Sequence, residues 1–197
     1  MFGLILGALN VVALAVTAID IGIHVCKALG IIKKDMPPEE LGDRALQAQD
    51  RGIKAEDYEG RYNEYLQEIE TIELDPEASE KFSVEEKQTA AAEILGTALV
   101  EYYGKDSGAE KFLNTELTEV NKDFYTPERV VSYMNAFKNS GDNMENINKY
   151  FDSKLDSMQE IRHVDTMLIE AEKKLGVSEE EAKQNLDEEK TKRSEHT

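Results

Sequence analysis

Ser83–Gly104 reads SVEEKQTAAAEILGTALVEYYG, and this stretch decides the fold class. Ser83 is followed three residues later by Glu86, the capping-box pattern in which a serine hydroxyl and a glutamate carboxylate each satisfy the other's backbone N–H. Ala90, Ala91, Ile94, Leu95, Ala98, Leu99, Tyr102 and Tyr103 then recur at the period of one helical face. Gly104 is the expected stop. The many small residues on this face permit close approach, which places the helix near the centre of a bundle.

The same signals extend to both sides. Pro37-Pro38-Glu39-Glu40 predicts a helix from Pro38 to about Gln49, with Leu41, Ala45 and Leu46 inward. Tyr58, Tyr62, Tyr65 and Ile69 share one face of a helix expected over 56–72, a core edge whose hydroxyls reach water. A short helix is expected over 108–120, and Thr126-Pro127 starts another that ends at Asn139-Ser140-Gly141. Apolar residues from Met144 to Leu175 keep 3–4 spacing with no Gly or Pro between them. They predict one helix of about nine turns, spanning the bundle or kinked near Gln159–His163. Ser178–Glu181 is a second capping pattern, but the tail beyond holds one strong apolar residue, Leu186, and is expected to fray or stay disordered. No strand alternation or internal repeat occurs. The fold class is all-α, an N-terminal hydrophobic (transmembrane) helix followed by an acidic multi-helix bundle. Three regions are expected: 1–34, 35–177 and 178–197.

The first region reads MFGLILGALNVVALAVTAI over residues 1–19 and carries no charge. About twenty apolar residues span a bilayer core. A positive n-region and a small-x-small cleavage site are lacking, which disfavours a signal peptide. Lysines 27, 33 and 34 lie on its C-terminal side, predicting a single-pass membrane location with the body on the cytoplasmic face. Asn10, Thr17, Asp20 and His24 fall within about 80° of one another on a helical projection, beside Gly3 and Gly7. Gly3 and Gly7 form a GxxxG step that lets helices approach closely. This stripe marks an interfacial end of the span, a homo-oligomer seam or a pore lining, in that order of preference.

Charge limits the partners. The 197-residue chain carries 41 acidic and 23 basic residues, a net charge of −18. Phosphate repulsion argues against nucleic acid. The acidic body favours a protein partner, a basic one in particular, and membrane lipid is expected only along residues 1–32. Cys26 is the sole cysteine, so neither an intrachain disulfide nor a cysteine-based zinc site can form. In the apolar segment it reads as a buried, inert thiol.

Catalytic signatures are lacking. His24, His163 and His196 show no ligand spacing, and no phosphate-binding Gly-rich loop follows a strand. The twelve residues Asp75–Glu86 place oxygens of Asp75, Glu77, Ser79, Ser83 and Glu86 at EF-hand positions. Position six, which needs glycine, holds Glu80, and Pro76 stands at position two. These five residues form a weak calcium loop, outranked by an ordinary loop into a capped helix. No cofactor is expected. The leading functional expectation is a non-enzymatic, membrane-anchored helical interaction or adaptor protein. The alternatives are a membrane-active toxin or holin-like protein, and a soluble effector or assembly subunit with a buried N-terminal helix.

Overall fold

The computed structural model describes residues 19–33, 36–114 and 123–195. Ten α-helices and one 3-10 turn account for most of them, with no strand among the described residues. The chain falls into two compact units, Met1–Tyr102 and Tyr103–Thr197.

In the first unit, α1 (Ile19–Ala28) packs on α2 (Pro38–Asp50), and α2 also meets α3 (Tyr62–Ile69) and α4 (Pro76–Ser79). The 3-10 turn Ala55–Tyr58 precedes α3. Gly60, at φ +77°, separates the two, so the expected single helix over 56–72 is broken there. Next comes α5 (Val84–Tyr103), whose residues Ala90, Ala91, Ala92, Ile94, Leu95, Ala98 and Leu99 are all buried. Its predicted cap is present: the Glu86 N–H donates to Ser83 Oγ (3.2 Å), and the Ser83 N–H donates to Glu86 Oε2 (2.7 Å). Helices α2 and α5 approach closely at Gly42, where a Cβ would lie 1.7 Å from the Lys87 carbonyl oxygen.

The expected membrane location requires correction. Among the described residues no helix is long and apolar enough to cross a membrane. The described part of the apolar segment instead buries Ile19, Ile23, Val25, Cys26, Ile31 and Ile32 within the protein. Helix α1 closes on a Schellman turn: Gly30 N–H donates to the Lys27 carbonyl (2.9 Å) and Ile31 N–H to the Cys26 carbonyl (2.8 Å). Gly30 takes the left-handed φ of +72° that this turn requires. The chain turns inward there, and the Lys33 N–H donates to Glu70 Oε1 (2.7 Å).

In the second unit, α6 (Ala109–Asn114) packs on α8 (Glu145–Phe151). The central element is α9 (Met158–Lys174), which meets α7 (Pro127–Ser140), α8 and α10 (Glu179–Glu195). The single long helix expected over 142–175 is therefore two, α8 and α9. Ser153 sits at φ +55° between them, and Ser157 with Glu160 forms a complete capping box that opens α9. The Ser157 hydroxyl satisfies the first N–H groups of a new helix locally, so the break leaves no orphaned start. The tail expected to fray is α10, docked on α8 and α9 with Ala182, Leu186, Glu189 and Arg193 buried.

Candidate functional site

The second unit holds a buried network of charge and aromatic rings. Glu172 on α9 is fully buried and faces Arg129 on α7. Arg129 donates from Nε to Oε1 (2.6 Å) and from Nη2 to Oε2 (3.0 Å), and Tyr133 OH donates to Oε1 (2.6 Å). Such fork-to-fork pairing is the strongest common ionic hydrogen bond. Burial opposes the charge on Arg129, but the bonds to Glu172 outweigh it and hold the guanidinium protonated. Its remaining Nη1 donates to the Phe124 carbonyl. The guanidinium lies 4.4 Å above the Phe124 ring.

A second arginine reaches the same aromatic group from α10. Arg193 donates from Nε to Glu189 (3.1 Å), from Nη1 to Asp152 (2.9 Å) and from Nη2 to Tyr125 OH (2.9 Å). Its guanidinium carbon lies 5.6 Å from the Tyr125 ring and 5.4 Å from that of Phe151. One turn earlier, Lys190 Nζ lies 3.6 Å over the Tyr150 ring, whose hydroxyl donates to Asp165. Phe124, Tyr125, Tyr150 and Phe151 thus form a wall of edge-to-face rings that presents π-faces to cations and carboxylates at its margin.

The first unit uses its buried polar groups to fix loops. Asp43 pairs with Lys87 Nζ at 2.9 Å. Burial works against its charge, but bonds from Lys87, Ser79 and Gln47 keep the carboxyl below the usual carboxylate range. Gln47 donates to the Asp75 carbonyl (3.2 Å) and to Ser79 Oγ (3.0 Å), tying the 75–79 turn to α2. Tyr62 and Tyr65 are buried to the hydroxyl, and among the described residues the Tyr65 hydroxyl has no hydrogen-bond partner. The expectation that these hydroxyls reach water is corrected: both rings sit inside, and desolvation pushes both phenols far above their ordinary range. Burial also raises the Glu93 carboxyl.

The sequence-predicted residues are placed as follows. Gly3, Gly7, Asn10 and Thr17 lie outside the described residues. Asp20 and His24 are exposed on α1, and their side chains do not pair. The imidazole Nδ1 of His24 lies 2.7 Å from the Asp20 backbone carbonyl instead. The residues of the calcium-loop reading have local roles here. Asp75 caps α4, accepting from the Glu77 and Ala78 N–H groups, Ser79 accepts from Gln47, and Ser83 and Glu86 cap α5. Among the described residues no group of three or more His, Cys, Asp or Glu side chains converges to hold a metal ion. Cys26 is fully buried, and desolvation raises its thiol well above the ordinary range. His163 is exposed, with Nε2 lying 2.9 Å from Asp142 Oδ2.

Sequence reasoning missed Arg129, Glu172, Glu189 and Arg193. A signal was present: Glu172 lies four residues after Leu168 and Glu189 three after Leu186, both in inward registers. A charge at a core position marks a buried pair, because an unpaired one is too costly to bury. No family model, curated protein or solved structure matches this chain.

Proposed function

We propose that this chain is a non-catalytic helical interaction module that binds a basic protein partner through the acid-rich, exposed segment 56–86 of its first unit. The observation that carries the reading is the placement of charge. Between Glu56 and Glu86 stand twelve acidic residues and two basic ones, Arg61 and Lys81. Glu56, Asp57, Glu59, Glu64, Glu68, Glu73, Asp75, Glu77, Glu80 and Glu85 are exposed, and Arg61 already bonds Glu64 at 2.7 Å. A surface of one sign steers an oppositely charged partner and rejects others. The buried charges support a scaffold rather than a reaction centre, since Arg129 meets Glu172 and Lys87 meets Asp43.

The test is fluorescence anisotropy of an arginine- and lysine-rich helical peptide with the full chain. Replacing Glu73, Glu77, Glu80 and Glu85 by Gln should weaken saturable binding and flatten its salt dependence. Replacing Glu180, Glu181, Glu188 and Glu195 on α10 by Gln removes the same formal charge and should matter less. Equal losses, or no saturable binding by the unaltered chain, would overturn the reading.

A further inference from the structure

α10 is attached to the second unit in a different way from its neighbours. Of its seventeen residues only Ala182 and Leu186 are apolar. By contrast, α9 buries Val164, Leu168, Ile169 and Ala171. Beyond Leu186 the contacts of α10 with the wall include two cations and the buried Glu189. Lys190 lies on Tyr150, and Arg193 lies between Tyr125 and Phe151 and bonds Asp152. Glu189, one turn before Arg193, bonds its Nε and presets the guanidinium for the wall. The surface beneath is built by other elements: the residues ahead of α7, the end of α8, and Asp165 of α9.

We propose that α10 is a built-in occupant of a cation-recognising trough. A partner helix with leucine, lysine and arginine at the spacing of Leu186, Lys190 and Arg193 takes its place. The inference goes beyond the acidic segment: it places a separate site for a basic helix in the second unit, and it names the chemistry of that partner. Aromatic faces bordered by carboxylates select cations, and the four- and three-residue steps from 186 to 190 to 193 put all three side chains on one helical face. The connection to α9 suits release. It is the short turn over residues 175–178, where Gly176 has φ +88° and an added Cβ would meet no neighbour. A partner helix with that leucine, lysine and arginine covers the same rings and carboxylates, so exchange re-covers the wall rather than leaving it in water.

The experiment uses the full chain and a labelled peptide of residues 178–197. Lys190→Ala with Arg193→Ala, introduced into the chain, loosens its own α10 and leaves the wall intact. That variant should bind the unaltered peptide saturably, one to one, and about tenfold or more tighter than the unaltered chain does. A peptide carrying the same two substitutions should fail, and Asp152→Asn added to the chain variant should weaken binding. Hydrogen exchange on the unaltered chain gives a second readout, in which α10 amides should exchange faster than those of α9. Equal peptide binding by both chains, none by the loosened one, or α10 exchange as slow as that of α9 overturns the trough. If binding instead follows Glu73, Glu77, Glu80 and Glu85 and ignores Asp152, the trough fails while the acid-rich segment stands.

Discussion

Arg129 and Glu172 lie 43 residues apart and meet fork to fork, at 2.6 and 3.0 Å, with the carboxylate wholly out of water. The pair joins α7 to α9, and the Tyr133 hydroxyl completes the shell around Oε1. Breaking it from one side strands the other charge. Glu172→Gln should therefore destabilise the second unit by about 3–5 kcal/mol, while Arg129→Met with Glu172→Leu should cost much less. Urea unfolding of both variants checks this. A double variant as unstable as the single one would show that the pair adds net stability rather than satisfying its own burial.

Gly42 offers a steric test of the α2–α5 contact. Its missing Cβ would fall 1.7 Å from the Lys87 carbonyl oxygen, which backbone cannot yield without moving a helix. Gly42→Ala should cost about 1–3 kcal/mol, as overpacking does. An unchanged thermal midpoint would mean that the helices are farther apart than described.

Two carboxylates predict opposite pH responses. The Glu93 carboxyl is raised by burial, so folding favours its protonated form. Its contribution is fully present below the ordinary glutamate pKa and is lost as pH rises through the higher folded value. Glu93→Gln should thus raise the melting temperature at neutral pH. Asp43, held low by Lys87, Ser79 and Gln47 against the effect of burial, contributes above the ordinary aspartate pKa. That contribution fades as pH falls through its lowered value. Asp43→Asn should lower the melting temperature at neutral pH and have little effect in strong acid. Melting curves across pH decide both signs.

Helix ends were the most legible part of the sequence. Ser83–Glu86, Thr126-Pro127, Gly104 and Gly141 mark boundaries that the structure keeps, because caps act over a few residues and need no tertiary partner. The break between α8 and α9 was hidden by a persistent stripe: Phe151, Leu155, Met158 and Ile161 stay in helical register across it. The local Ser157–Glu160 cap overrode that pattern. Apolar periodicity in the first region showed that residues near 19–32 leave water, but it does not distinguish lipid from protein as the new surroundings. The Arg193–Tyr125 contact, 68 residues apart, depends on topology that no local pattern encodes.

Cys26 reports directly on where the apolar segment lies. It is fully buried, with desolvation disfavouring the thiolate, and the thiolate is the reactive form. The native chain should resist Ellman's reagent at pH 8 and react fully in denaturant. Prompt native reaction would show that Ile23, Val25 and Cys26 are not packed inside the first unit.

The most direct test of the acid-rich segment is hydrogen exchange by mass spectrometry on the full chain, with and without a basic helical peptide at saturation that lacks the leucine–lysine–arginine spacing of Leu186, Lys190 and Arg193. The account predicts slowed exchange centred on residues 56–86 and reversed by high salt. No change there, or protection spread evenly along the chain, would contradict it.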